Sequence, residues 1–358
     1  MNTPHQVVAG DFLYTVVDDC TTTCWALLTG SATDEILDEL YAPDFTVITG
    51  RPDLQLKKTM NGLFALTGYP DVSFPQHSVN SYNLNLQLKA TGFRDRSWVQ
   101  PVPAGQPFPI LIPPKALRRL PVRIQGRVVN DLTRAPVAGA QVLSVDDPVT
   151  PPTVHTTAMR SPLYFDHPLA SQVQNVTMNT PVALSLTADV ASGENFLNLL
   201  NRSGLVANSV IQLRNSSQTM IEYGVVDHLG PGAPASGQVF LRNVLNHSFA
   251  KSAAVTLFTP SLVGGPATLS SDANAGDGIL LASQLLNGAS ALVVDTGLPT
   301  AEYHEVGALT DTDGYYGLDG MGRVREVFLF STQGALHRTV PWFIEYDQAV
   351  NVVDLRLS

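Results

Sequence analysis

Two segments of this chain repeat each other, and a repeat constrains architecture before any single residue does. Leu186-Thr-Ala-Asp189-Val-Ala-Ser-Gly193-Glu194-Asn-Phe-Leu197 resembles Leu269-Ser-Ser-Asp272-Ala-Asn-Ala-Gly276-Asp277-Gly-Ile-Leu280, at an offset of 83 residues. Glu222-Tyr223 then matches Glu302-Tyr303 at an offset of 80. Both copies read as strand, glycine turn, strand, turn, then a strand bearing Glu-Tyr. They read as two copies of a small β unit of roughly 80 residues. The second copy looks shorter. Its counterpart of the last hairpin, Val239–Leu245 and Ala254–Phe258, is expected to be missing or to merge into the segment downstream.

Strand signals dominate the rest of the chain. Phe12–Val17, Phe45–Ile48, Leu63–Leu66, Tyr82–Leu88, Val122–Val129, Val324–Phe330 and Val350–Leu357 are short apolar or alternating runs closed by Gly, Pro, Asn or Asp. In Tyr82-Asn-Leu84-Asn-Leu86-Gln-Leu88-Lys89 the three leucines fall on one face, which predicts a strand with one buried and one wet side. Helical patterning is scarce. Asp34–Leu40 predicts two turns, with Thr33 as N-cap and Pro43 as stop, and Ser283–Asn287 predicts one more turn. The fold class is therefore all-β. The 27 glycines and 25 prolines agree with turn-rich structure.

Charge narrows the classes of function. Charged residues make up only 15% of the chain and the formal net charge is −10. A net anion does not attract a phosphate backbone, which argues against a general nucleic-acid binder. A surface so poor in charge suggests cover by other domains or chains. No basic n-region precedes an apolar h-region, and no run of 18 apolar residues occurs, so neither a secretory signal nor a spanning helix is expected. Cytoplasmic synthesis is expected, with a virion or released particle as an end point. The two cysteines, Cys20 and Cys24, lack the further ligands that zinc requires. A short-loop disulfide is the less favoured reading and two small buried thiols the default.

A second layer of pattern brackets the repeats. Val122-Arg-Ile-Gln-Gly126-Arg-Val128 is followed by Asp131-Leu-Thr133-Arg-Ala-Pro136-Val-Ala-Gly139-Ala140-Gln-Val142 and, far downstream, by Thr310-Asp311-Thr-Asp313-Gly314-Tyr315-Tyr316-Gly-Leu318. This order resembles the carboxypeptidase regulatory-like family, which implies a transthyretin-like, seven-stranded sandwich. The resemblance covers about 85 residues, and some 160 residues interrupt it. Loop closure grows only logarithmically in cost with length, so a sandwich tolerates such an insertion. A fainter copy runs through Phe45–Pro52, Asn61–Gly68 and Tyr82–Arg94. Asn61-Gly62 and Asp313-Gly314 then occupy matching turns that need positive φ.

The domain plan is an N-terminal sandwich over 1–100, a proline-rich linker over 101–121, and a split sandwich over 122–146 and 307–358. An inserted β region spans 147–306, with repeats at about 183–260 and 267–306. Seven prolines within 101–121 predict a semi-rigid, extended spacer. Arg118, Arg119, Arg123 and Arg127 form a basic cluster. It reads as a docking contact for an acidic partner or, by default, as a charge-protected strand edge.

No catalytic constellation is found. No G-x-S-x-G, H-E-x-x-H, G-x-G-x-x-G or P-loop string occurs. Asp311-Thr-Asp313-Gly314 with Asp319 lacks the spacing of a calcium loop and reads as a hairpin turn. His304 beside Glu305, His228 beside Asp227, and Asp166-His167-Pro168 lack a nucleophile placed by sequence. Glu222-Tyr223 and Glu302-Tyr303 could pair carboxylates for carbohydrate chemistry, but recurring residues more often solve one packing problem twice. Trp25, Trp98 and Trp342 read as core anchors rather than sugar platforms. No catalytic, cofactor-binding or metal-binding residue is assigned. The expected role is a non-enzymatic subunit of a large particle, a phage tail or phage-tail-like contractile injection system, as a baseplate, collar or fibre-like component. Its partners would be other protein subunits in a homo- or hetero-oligomer. The alternative is a carbohydrate- or surface-binding adhesion module.

Overall fold

A computed structural model describes residues 5–9, 12–16, 24–37, 45–59, 61–69, 74, 80–150, 152–217, 220–232 and 234–358. Among them there is no helix, and the fold is all-β with several packed sheets. The chain forms two compact units, Met1–Arg119 and Leu120–Ser358.

In the first unit, β1 (His5–Ala9) and β2 (Phe12–Val16) form an antiparallel pair. The next strands are β3 (Trp25–Asp34), β4 (Phe45–Thr49), β5 (Gln55–Lys58), β6 (Leu63–Gly68), β7 (Tyr82–Ala90), β8 (Arg96–Val102), β9 (Ile110–Leu111) and β10 (Lys115–Leu117). One sheet runs β10-β3-β6-β5 with β9 also beside β3, and another runs β4-β7-β8. Their inner faces share one core that includes Leu28, Phe45, Phe64, Leu66 and Leu117. Leu84, Leu86 and Leu88 all point into it, as the alternation requires.

Residues 101–121 do more than span a distance. Ile110–Leu111 and Lys115–Leu117 add parallel to β3, separated by Pro113 and Pro114. Val102, Ile110, Ile112 and Leu117 are buried. Fully burying such a side chain contributes roughly 1.5–3 kcal/mol. The apolar residues between the prolines therefore hold the segment on the unit. The helix expected over Asp34–Leu40 is replaced, as far as Leu37, by a turn. Asp34 Oδ1 accepts the N–H groups of Ile36 at 2.9 Å and Leu37 at 3.3 Å, while Oδ2 binds Arg119. Residues 38–40, Pro43 and Cys20 lie outside the described residues.

The second unit begins with β11 (Val122–Asn130), β12 (Gln141–Val145), β13 (His155–Ala158), β14 (Gln172–Ser185), β15 (Phe196–Leu199), β16 (Val210–Arg214), β17 (Ile221–Leu229), β18 (Gly237–Leu241) and β19 (Ala254–Thr268). It continues with β20 (Ile279–Ala282), β21 (Ala291–Val294), β22 (Glu302–Glu305), β23 (Ala308–Leu309), β24 (Tyr315–Met321), β25 (Glu326–Gln333), β26 (Leu336–Phe343), β27 (Val350–Val352) and β28 (Leu355–Leu357). Strands from the two ends of this unit build a sandwich. One sheet is β24-β11-β27, with β28 also on β11, and the other is β23-β12-β25-β26. Ile124, Val128, Val142, Leu318, Leu329 and Leu355 meet between them.

The run Val350–Leu357 forms two strands rather than one. It breaks at Val353-Asp354, where Val353 donates to Gln125 O at 2.8 Å and Asp354 Oδ1 accepts the Arg127 N–H at 2.9 Å. A Cβ at Gly126 would lie 1.9 Å from Val353 O, so only glycine fits the strand beneath this break. Gly62 and Gly314 have φ of 81° and 79°, the conformation their turns demand.

The inserted region is one eight-stranded sheet, β15-β18-β17-β16-β19-β14-β21-β22, with β13 and β20 paired beside it. Its two repeats are complete, which corrects the expectation of a missing hairpin. The missing strands come from upstream. Met159 donates to Gly278 O and Leu163 to Asp277 O, just as Leu241 donates to Asn195 O and Leu245 to Glu194 O. Residues 155–173 are therefore the counterpart, 82 positions earlier, of 237–255. β14 and β19 occupy equivalent places and pair antiparallel with each other. Pairing Met178 with Pro260, and exchanging Thr177↔Ser261 with Asn179↔Thr259, marks a local two-fold axis. A search in chain order misses this, because the second copy takes its last strands from before the first. The expected turn at Ser283–Asn287 is not helical, and Leu286 is buried with its N–H on Thr157 Oγ1 at 3.1 Å.

Three cores result. Ile211 and Leu213 face the first repeat's core, and Leu292 and Val294 the second's. The opposite faces of the same strands, Val210 on one side and Ala291 and Val293 on the other, pack with Met178 and Tyr303 between the repeats. Strands buried on both faces read as unbroken apolar runs, as in Ala291-Leu-Val-Val294.

Candidate functional site

The acidic residues that recur in the two repeats occupy equivalent places in both copies. Asp189 Oδ1 accepts the Lys251 N–H at 2.6 Å, and Asp272 Oδ1 accepts the Leu169 N–H at 2.8 Å. Glu194 accepts from Ala191 N–H at 3.0 Å, and Asp277 from Asn274 N–H at 2.9 Å. Glu222 accepts from the N–H groups of Asn246 and His247, at 3.1 and 3.4 Å. Glu302 does the same for Tyr164 and Phe165, at 2.7 and 3.3 Å. All three pairs do one job twice: each carboxylate ties down loop N–H groups that would otherwise be unsatisfied.

Around Glu302 a buried relay forms. Ser161 Oγ lies 3.0 Å from His304 Nδ1, and His304 Nε2 lies 2.9 Å from Glu302 Oε2. His167 Nε2 bonds Glu302 Oε1, and its Nδ1 lies 2.6 Å from Asp295 Oδ2. Burial pushes the Glu302 carboxyl up, but hydrogen bonds from His167 and His304 outweigh it and hold it below the usual carboxylate range. Burial likewise opposes the charge on His167, while its bonds to Glu302 and Asp295 raise it. The order serine, histidine, carboxylate matches a hydrolytic triad in composition. Ser161, His304 and Glu302 are all buried, however. A nucleophile needs room for a substrate beside it.

Glu222 serves a second cluster. His247 Nδ1 lies 2.8 Å from Glu222 Oε1 and its Nε2 lies 3.7 Å from Asp319 Oδ2, and Asp319 pairs with Arg123 at 2.7 Å. Bonds to Asp319 and Glu222 raise the His247 pKa to about 9. Burial opposes the Asp319 charge, but His247 and Arg123 keep its pKa depressed. This cluster joins the insertion to sandwich strand β24.

Between the repeats, Tyr223 donates to Glu305 Oε1 at 2.8 Å and Gln212 Nε2 donates to the same oxygen at 2.9 Å. Arg160, buried, feels the charge of Glu305. At the far side a polar cavity of about 380 Å³ is lined by Asn208, Val225, Arg242, Leu298, Ala301 and Tyr303. Each place is assembled from four separated stretches of chain, and although Tyr223, Tyr303 and Glu305 stood out in the sequence, nothing local showed which residues they would meet.

The remaining candidates have structural partners. Asp311 Oδ1 accepts from Asp313 N–H at 2.9 Å and Tyr315 N–H at 2.8 Å, which closes the hairpin turn. Arg118 pairs with Glu35, Arg119 with Asp34, and Arg127 donates to Asp313 O and lies over the Tyr315 ring. Arg118 and Arg119 thus belong to the first unit and Arg123 and Arg127 to the second. His228 stacks on Phe240 and pairs with Asp227 at the surface. Trp25 is exposed and edge-on to Phe108, Trp98 lies under Lys115, and Trp342 donates to Asn351. Cys24 is a free, exposed thiol rather than a buried one.

One buried cation gave no sequence signal. Arg202 is fully buried and donates to five carbonyls, those of Gly230, Pro231, Ala235, Ser236 and Gln238, organising that loop. The open surface of the first unit carries two apolar grooves. One, of about 570 Å³, crosses the outer face of β9, β3, β6 and β5, with Leu111 79% and Leu63 44% exposed. The other, of about 490 Å³, crosses β4, β7 and β8, with Ile48 45% and Val99 56% exposed. No helix among the described residues is long and apolar enough to cross a membrane.

No protein-family model matches the chain. No curated protein matches it. Among solved structures it is similar to the major pilin subunit BcpA* of Bacillus cereus, at 8% identity and a TM-score of 0.20, over 94% of this chain and 99% of the pilin. It is also similar to the Bacillus anthracis TIE protein, at 8% identity and a TM-score of 0.12, over 96% of this chain and 76% of the other.

Proposed function

We propose that this chain is a non-enzymatic structural subunit of a large assembly. The particle we favour is a phage tail or phage-tail-like contractile injection system, with the chain as a baseplate, collar or fibre-like component made in the cytoplasm. The observation that carries the reading is the pair of apolar sheet faces on the first unit, where Leu63, Leu111, Ile48 and Val99 stand open to solvent. Contiguous apolar surface of this kind favours association with another chain. Two further points support it. The recurring carboxylates are consumed in bracing loops, and β26 pairs on one side only among the described residues, leaving a strand edge for a neighbour. In this reading the split sandwich is a carboxypeptidase regulatory-like module used as a rigid spacer.

The test is the mass of the native species. The protein is purified undissociated from its own host, weighed by light scattering, and its co-purifying chains identified. A megadalton particle with ring- or tube-forming partners is the expected result. A lone 38.4 kDa chain overturns the proposal, and glycan-array binding by that chain would establish the adhesion module instead.

A further inference from the structure

The local two-fold axis of the insertion relates residues of one repeat to residues of the other. Arg160 and Arg242 are equivalent: the first donates its backbone N–H to Glu305 O at 3.0 Å, the second to Val225 O at 2.9 Å. Tyr223 and Tyr303 are equivalent too, facing Gln212 on β16 and Val293 on β21 in matching registers. Each arginine lies within electrostatic range of its tyrosine. The chain thus builds the same arginine–tyrosine pair twice.

What differs is the third member. At the first place the residue beside the pair is Glu305, and its carboxylate takes hydrogen bonds from Tyr223 and Gln212 under the charge of Arg160. At the second place the equivalent residue is Val225, which is shorter and carries no charge. A cavity of about 380 Å³ opens there. Among the described residues Arg242 has no carboxylate partner, its side chain donating to Asn208 Oδ1. Tyr303 is half-buried and lines the cavity, and its hydroxyl makes no hydrogen bond among the described residues.

We propose that the Arg242–Tyr303–Asn208 cavity binds a carboxylate from outside the chain, in the position that Glu305 fills at the equivalent place. A guanidinium and a phenol converging in a partly desolvated pocket are suited to a planar anion, because charge-assisted bonds are about twice as strong as neutral ones. The volume admits more than the carboxylate itself and matches a small organic acid. Leu298, Pro299 and Ala301 form an apolar side to the cavity. The carboxylate comes either on a free small acid or on a glutamate side chain of a neighbouring chain. Burial raises the Tyr303 hydroxyl and outweighs the opposing charge of Arg242, so the phenol stays protonated and able to donate.

The experiment titrates the full chain with three probes by protein-observed NMR: glucuronate, its uncharged analogue glucose, and acetyl-glutamate-methylamide. Glucuronate or the blocked glutamate is expected to bind at least about tenfold more tightly than glucose. The tighter of the two acids identifies a free acid or a protein side chain as the source. Arg242→Gln is expected to weaken acid binding by about tenfold or more, and Tyr303→Phe by roughly threefold to tenfold. Val225→Glu supplies the missing carboxylate internally. It is expected to abolish acid binding while leaving the fold intact by circular dichroism. Absence of binding by either acid up to about 50 mM, or equal binding of glucose and glucuronate, overturns the proposal without recourse to any variant. Acid binding that survives both Arg242→Gln and Tyr303→Phe overturns it as well.

Discussion

Glu302 Oε2 accepts the backbone N–H of Tyr164 at 2.7 Å across 138 positions of sequence. That bond closes the second repeat, whose last strands precede the first repeat in the chain. The same carboxylate carries His167 and His304. Glu302→Gln therefore leaves buried histidines and loop N–H groups poorly paired. A loss of about 3–5 kcal/mol is expected by urea denaturation. Glu222→Gln, equally buried but with one histidine partner that is only half-buried, is expected to lose about 1–3 kcal/mol. Equal small losses would show that these carboxylates do not brace the loops.

The His247 cluster predicts a pH dependence. Its pKa is raised in the folded chain to about 9, from about 6.5 unfolded. Its contribution is therefore complete below about pH 6.5 and is lost as pH rises through about 9. Glu302 and Asp319, held low, act in the opposite sense and lose their contribution as pH falls through the acid range. Tm is expected to peak between about pH 5 and 6.5. His247→Gln should flatten the alkaline limb, and an unchanged limb would exclude the cluster as its origin.

Ser161 tests the non-enzymatic reading. Buried against His304, it is expected to stay unlabelled by a fluorophosphonate probe under native conditions, read by intact mass. Stoichiometric labelling that disappears in Ser161→Ala would make the serine–histidine–glutamate relay a working nucleophile.

Arg202→Lys removes a planar donor that reaches five carbonyls. A lysine has three donors and no fork, so carbonyls of the 230–238 loop lose their partners. A loss of about 2–4 kcal/mol is expected in the same denaturation assay. A loss under about 0.5 kcal/mol would mean that the loop holds itself.

Leu117→Ala tests the attachment of the proline-rich segment. Leu117 is buried on β10, so about 2–4 kcal/mol of the first unit's stability should go. Unchanged stability would return residues 101–121 to the status of a spacer.

Local pattern determined a good deal by itself. The period-2 leucines of Tyr82–Ala90, the Asn61-Gly62 and Asp313-Gly314 turns and the scarcity of helical periodicity all report on short-range sterics and on one buried face. The sequence also contained the repeat, and with it the carboxylates that recur in the two copies. Tertiary structure alone decided what those carboxylates touch. Glu222 reaches forward to Asn246 and His247, but Glu302 reaches back to Tyr164 and Phe165, and no local signal tells a chain which end will complete a sheet. It alone brought Arg242 to Tyr303 and left Val225 where the other repeat has Glu305. Strand order and pairing depend on long-range burial and hydrogen bonding, summed over residues that are far apart in sequence.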